Sequence, residues 1–173
     1  MKTLHIIRHA KAEEGSSFIK DFDRALTESG KADAKLIGKE LDQLHVKPSM
    51  ILSSPAKRAL QTAQIVIDEL DLSIENIVCN ENIYDASLKT MSEVVSQTPD
   101  KVNTLMIFGH NPSFKDLVNY LSNTIFEKLP KGSVVSITFD TNHWADLKKR
   151  SGKVTYYEFP KNIRQYATLK TLI

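Results

Sequence analysis

Short apolar runs alternate along the chain with longer stretches of helical spacing. Leu4, Ile6 and Ile7 form a β-branched-rich run typical of a strand buried on both faces, and it stops abruptly at Arg8 and His9. After a polar loop over 13–22, Thr27 is placed to cap a helix and Glu28 to meet its positive end. Apolar Ala34, Ile37, Leu41 and Leu44 then keep helical spacing to about His45. Pro48 marks the connection into a second strand over 50–53. Ser54-Pro55 next reads as an N-cap and first helical residue. The helix it opens carries Ala59, Ala63, Val66 and Leu70 on one face and Arg58, Gln61 and Thr62 on another.

The second half repeats the theme. A third strand is predicted over 74–79 and, after Glu81, Tyr84 and Asp85, a short helix over 88–97, closed by Thr98-Pro99-Asp100. Thr104 to Phe108 is a buried strand leading into Gly109-His110-Asn111-Pro112 and a helix with Phe114, Leu117, Val118 and Leu121 turned inward. Two further strands, 134–139 and 154–159, are joined by a loop longer than the tightest hairpins. This alternation predicts an α/β fold: a three-layer α/β/α sandwich with a mostly parallel central sheet. One domain is expected over 1–160, with a basic, mildly apolar tail over 161–173.

Composition narrows the possibilities. With 173 residues, a quarter of them charged, the chain suits one globular domain. A net charge of +2, dispersed along the sequence, does not suit nucleic acid, and Lys148-Lys149-Arg150 reads as a solvated loop. The single cysteine excludes an internal disulfide; within Ile77-Val78-Cys79 it is expected as a buried strand thiol rather than a nucleophile. No apolar run approaches the ~20 residues that a membrane span needs. The N-terminus enters a strand directly, so a cytoplasmic, membrane-free location is the default expectation.

The candidate chemistry gathers at strand ends. Arg8 and His9 follow the first strand, Arg58 the second and His110 the fourth. In open α/β sheets ligands bind outside the carboxyl ends of strands, and two arginines with two histidines suit a dianion such as a phosphoryl group. The helix starts after Ser54 and Gly109 could add backbone N–H donors; Gly109 is expected to allow a sharp turn and Asn111 to cap the helix behind it. His5, His45 and His143 lack such context and read as structural or exposed. Neighbouring arginines would repel a cation, so neither a metal nor another cofactor is expected.

These residues match a pattern. Arg8-His9-Ala10, Arg58 within Ser53-Ser54-Pro55-Ala56-Lys57-Arg58-Ala59-Leu60-Gln61-Thr62-Ala63, and Gly109-His110-Asn111-Pro112 resemble the histidine phosphatase superfamily, which also contains the phosphoglycerate mutases. Within it the likeness is to the small SixA-type phosphohistidine phosphatases, through compact length and an Arg-x-Leu-Thr-x-x-Gly segment at Arg24 to Gly30; it runs to about Phe159. The resemblance implies a phosphoglycerate mutase-like fold and His9 as the nucleophile that becomes phosphorylated. Arg8, Arg58 and His110 would hold the phosphoryl group, with Asn111 contributing to substrate binding, and no metal would be needed. The chemistry is coherent: a neutral imidazole is a competent nucleophile, and arginines spread the charge of the group in transfer.

Two departures from the pattern bear on substrate. Ala10 stands where the family usually has Gly. The Glu-Gly pair whose glutamate protonates the leaving group in many larger members is missing; Glu81, Asp85, Glu13 and Asp21 are the candidate carboxylates, none of them assigned. An alkoxide leaving group benefits from a positioned acid, whereas the imidazole of phosphohistidine leaves readily once protonated. Only about two dozen residues separate Glu81 from Leu105, little material for a lid. Both features point to a histidine-phosphorylated protein as the substrate. The alternatives are a small phosphorylated metabolite hydrolysed as a monoester, or a phosphate- or phosphoprotein-binding module without turnover; a mutase fits least.

Overall fold

The computed structural model describes residues 1–170. Its strands are β1 (Lys2–Arg8), β2 (Met50–Ser53), β3 (Ile77–Cys79), β4 (Thr104–Gly109), β5 (Val134–Phe139) and β6 (Lys153–Glu158). The helices are α1 (Glu28–Gln43), α2 (Lys57–Glu69), α3 (Leu88–Ser96), α4 (Ser113–Leu121) and α5 (Pro160–Lys170). One sheet of order β3-β2-β4-β1-β5-β6 unites the strands. The first four in that order are parallel, while β5 and β6 run antiparallel to their neighbours.

Apolar patterning explains the layering. β4 lies at the centre, and every residue from Leu105 to Gly109 is buried, as a strand covered on both faces requires. One core packs α3, α4 and Trp144 against Leu4, Ile6, Ile107 and Val135; the other packs α1, α2 and Ile163 of α5 against Ile7, Ile51, Met106 and Phe108. Alternate residues of the same strands thus serve opposite layers. The result is a three-layer α/β/α sandwich around a mostly parallel central sheet.

Several local expectations are revised. Thr27 does cap α1, its hydroxyl accepting from the Gly30 N–H at 3.0 Å, but the helix ends at Gln43 and Leu44 is half-exposed. Helix α2 starts at Lys57 with Ala56 as its cap, because the Ser54 hydroxyl is engaged by His110. The predicted third strand divides into a 3-10 turn, Ile74–Asn76, and the short β3. Since β3 is the sheet edge, paired only with β2, Cys79 is exposed rather than buried. Of the expected tail, the described part is helical in α5, with Ile163 buried and Arg164 paired to Asp33 at 2.5 Å. Residues 171–173 of that tail lie outside the described residues. Among the described residues no helix is long and apolar enough to cross a membrane.

The topology creates one natural crevice. β1 and β2 lead into helices on one face, β4 into a helix on the other, yet β4 lies between β1 and β2. Chains diverging to opposite faces from adjacent strands leave a gap beyond their carboxyl ends.

Candidate active site

His9 and His110 meet in that gap because of strand register. Arg8 pairs with Gly109 across the parallel β1–β4 ladder, and the His9 N–H donates to the Gly109 carbonyl at 3.0 Å. The next residue on β4 is therefore His110, and the two rings lie with centroids 5.2 Å apart. Both are buried.

The state of His9 follows from its partner. Nδ1 lies 2.7 Å from the Ala10 carbonyl, which can only accept, so Nδ1 carries the proton. Nε2 keeps its lone pair and has no hydrogen-bond partner among the described residues. Burial pulls the imidazole down to about 3; the Ala10 carbonyl works against this, and the nearby His110, Arg58 and Arg8 reinforce it. His9 is thus a neutral base at ordinary pH. Ala10 answers its departure from the family pattern: it is buried, does not occupy the left-handed region, and its N–H donates to Thr62 Oγ1 at 3.1 Å.

His110 is held differently. Its Nε2 bonds the Ser54 hydroxyl at 2.8 Å, and its Nδ1 is buried without a partner. Burial lowers it to about 4, with Arg58 and Arg8 adding to the effect and Asp21 opposing it. Gly109 is required by close approach rather than by a turn: a Cβ there would lie 2.6 Å from Phe114 and 2.7 Å from Ile83. Asn111 does not cap α4, whose N-cap is Pro112. Its Nδ2 instead donates to the Leu129 carbonyl at 3.1 Å, and its Oδ1 is buried without a partner.

The arginines converge from two directions. Arg8 donates from Nη1 to the same Leu129 carbonyl at 2.7 Å, leaving Nε buried and unpartnered. Arg58 sits in the first turns of α2, nearly buried, with Nη2 2.9 Å from Asp21 Oδ2 and Nη1 2.5 Å from the Asp21 carbonyl. Thr62, one turn later, donates to the Arg58 carbonyl at 2.7 Å while accepting from Ala10, tying α2 to the segment behind His9.

Asp21 is the carboxylate that the structure brings in most firmly. Arg24 Nη1 reaches its Oδ1 at 2.9 Å, and Tyr84 donates its hydroxyl to Oδ2 at 3.1 Å. Burial pushes this carboxyl up, but hydrogen bonds from Arg24 and Arg58 and the Arg58 charge overcome it and hold it at about 2. Asp85 joins Asp21, Arg58, Tyr84, His110 and Asn111 around a pocket of about 200 Å³. Glu81 lines a separate groove with Cys79, and Glu13 contributes its backbone carbonyl, to Arg24. Ser54, Thr62 and Tyr84 are the site residues that sequence reasoning missed. Ser54 was legible only as a cap, although its place in the Ser53-to-Ala63 segment was a signal of something more.

The other histidines stay out. His5 and His9 are four apart, a spacing that on a helix would share one face, but in β1 it separates them by ~13 Å. His5 is occupied by Ser136 at 2.7 Å. His143 pairs with Asp100 at the surface.

A pocket lined by the Arg58 guanidinium and the neutral His110, with the neutral His9 ring packed against His110 and the Arg8 charge nearby, suits a tetrahedral dianion. Comparison with known proteins bears on which one. Residues 4–78 match the model of the histidine phosphatase superfamily (branch 1). The fold overlays that of the protein histidine phosphatase SixA complexed with tungstate at a TM-score of 0.79, covering 93% of this chain and 99% of that one at 22% identity. The match to the histidine phosphatase superfamily model spans less than half of the chain. An uncharacterised chloroplastic protein of Arabidopsis thaliana is 27% identical over 160 residues, 87% of this chain and 72% of that one. A Hydrogenobacter thermophilus protein provisionally named phosphoserine phosphatase 2 is 32% identical over 132 residues, 75% of this chain and 58% of that protein. The relatives differ in what their names say they act on.

Proposed function

We propose that this protein is a phosphatase of the histidine phosphatase superfamily that works through a phosphohistidine on His9 and removes phosphate from phosphohistidine on another protein, without a metal ion. The observation that carries the reading is the state of His9: a buried, neutral ring with Nδ1–H fixed by the Ala10 carbonyl at 2.7 Å and Nε2 free. Nε2 attacks phosphorus, the bond to the leaving group breaks, and the leaving atom takes the electron pair. Phospho-His9 is then cationic on the ring, with its Nδ1 proton still donated to Ala10. Arg8 and Arg58 neutralise the phosphoryl oxygens in both states, and His110 and Asn111 bound the same space. Water attack on phospho-His9 releases inorganic phosphate and restores the neutral ring.

The leaving group decides the substrate class. Asp21 and its arginines form a fixed ion pair, so Asp21 offers no proton to an alkoxide. The tungstate in the SixA complex, a phosphate mimic in a similar fold, supports the phosphoryl assignment. The test is to incubate the protein with a 32P-phosphohistidine protein, quench, and look for an acid-labile, base-stable label. The label should sit on His9 and vanish in His9→Ala. A binding module without turnover would carry no label, and a large preference for small phosphomonoesters would overturn the substrate class.

A further inference from the structure

We infer that Asp21 is the acceptor for the leaving imidazole, making the site selective for P–N over P–O bonds by hydrogen-bonding the ring nitrogen remote from phosphorus. The inference rests on the phosphatase reading above. It starts from a symmetry in the chemistry. When a phosphoryl group passes between two imidazoles, each ring carries a proton on its remote nitrogen while it bears phosphate, and that N–H needs an acceptor. For His9 the acceptor is the Ala10 carbonyl. The substrate ring needs a counterpart.

Asp21 is placed for it. Its carboxylate lines the same pocket as His110 and Arg58, and its side chain is about half-exposed (53%), so part of it still faces incoming ligand. Oδ2 already accepts from Arg58 and Tyr84 and Oδ1 from Arg24; a carboxylate has about four acceptor positions, so Oδ1 can take one more donor. Tyr84 adds an aromatic wall, edge-on to His110 with centroids 5.7 Å apart and to Phe22 at 5.2 Å. A carboxylate beside an aromatic ring suits a flat cation. His110, with Nδ1 buried and unpartnered on the same pocket, is the second sign that a ligand belongs there. The groups facing Asp21 are Arg24, Arg58 and Tyr84, with Asp85 and His110 across the pocket.

The step balances without a general acid. The substrate ring enters protonated on its remote nitrogen, with that N–H donated to Asp21. Nε2 of His9 forms its bond to phosphorus, the P–N bond of the substrate breaks, and the electron pair returns to the substrate nitrogen. The ring leaves as neutral imidazole and Asp21 remains an anion throughout. The same anion is of no use to an alkoxide, which has no N–H to donate.

The experiment measures single-turnover phosphorylation of His9 by phosphoimidazole and by p-nitrophenyl phosphate across pH, in the wild-type protein, Asp21→Asn and Asp21→Glu. In the wild type the basic limb for phosphoimidazole should lie above the titration of free phosphoimidazole, because Asp21 favours the protonated ring. In Asp21→Asn that limb should fall back, and the rate ratio of phosphoimidazole to p-nitrophenyl phosphate should drop about tenfold or more, the scale of a lost charge-assisted hydrogen bond. Asp21→Glu should retain most of the ratio. Equal losses on both substrates would reduce Asp21 to a positioning residue for Arg58 and overturn the inference. So would a wild-type limb coincident with free phosphoimidazole, a result that needs no variant to fold. A wild-type protein labelled by p-nitrophenyl phosphate but not by phosphoimidazole would instead refute the substrate reading itself.

Discussion

Ser54 has two tasks that pull in different directions. Its hydroxyl is the hydrogen-bond partner of His110 at 2.8 Å and also accepts, at 3.3 Å, from the Ala56 N–H that opens the turn into α2. Ser54→Ala would leave both nitrogens of a buried imidazole without partners, a loss of about 1–3 kcal/mol. We expect a lower denaturation midpoint together with a fall of about tenfold or more in turnover, as His110 loses its orientation. Denaturant titration and steady-state kinetics on the one variant check both; unchanged kinetics would remove His110 from the proposed phosphoryl site. Cys79 provides a simpler check at the same scale. Being exposed on an edge strand away from the site pocket, it should react with a thiol reagent in the native protein, one equivalent per chain, without loss of activity. Labelling that appears only on unfolding would restore the buried thiol that its apolar neighbours suggest.

Among the elements, the start of α1 shows how tightly the site is braced. Thr27 caps the helix and also contacts the Lys11 carbonyl, through its N–H at 3.0 Å and its hydroxyl at 3.2 Å. Gly30 lies directly on that carbonyl: a Cβ there would be 2.0 Å from the Lys11 oxygen, an impossible contact. Gly30→Ala must therefore push α1 away from the segment that follows His9, at a cost on the order of 1–3 kcal/mol. A lower Tm and reduced phosphorylation of His9 are the expected outcome, read by thermal melts and phosphoenzyme labelling. Retention of both would show that Lys11 moves independently of His9. Thr62 performs the matching task from α2, joining the Arg58 carbonyl to the Ala10 N–H. The two braces hold Ala10, and through it the Nδ1 proton of His9.

For the whole molecule, three buried histidines set the response to acid. Burial lowers His5 to about 4, His9 to about 3 and His110 to about 4, each below the ordinary 6.5. Between these values and 6.5 the unfolded chain binds protons that the folded chain does not, so stability falls as pH drops from about 6.5 towards 4. Each histidine contributes up to about 1.4 kcal/mol per pH unit within its window. Urea midpoints should therefore fall between pH 7 and pH 5, and the loss should shrink in a His5→Asn variant. A midpoint constant over that range would show that these rings protonate without unfolding. The arrangement bears on the proposed function: the burial that makes the fold acid-sensitive is what keeps His9 neutral, as the proposed attack on phosphorus requires.

Much of this was legible from one dimension. The apolar runs at Leu4–Ile7 and Thr104–Phe108, the Thr27 cap and the helical spacing through Leu41 report local physics, in which each residue's neighbours in sequence are its neighbours in space. Arg8, His9 and His110 were visible because each follows directly on an apolar run, and Arg58 because it lies in the first turn of the helix after one, so predicting the element places the residue at the sheet edge. What local pattern could not decide depends on partners far along the chain. Cys79 is exposed because β3 is an edge strand, a fact of sheet order. Ser54 serves His110, and Asn111 the Leu129 carbonyl, because chain segments up to 56 residues apart close on one another. Asp21 could not be separated from Glu13, Glu81 and Asp85 by sequence, since all four are polar residues in loops. Only the packed structure puts Asp21 against Arg58, where a carboxylate becomes a fixed anion on the pocket it shares with His110.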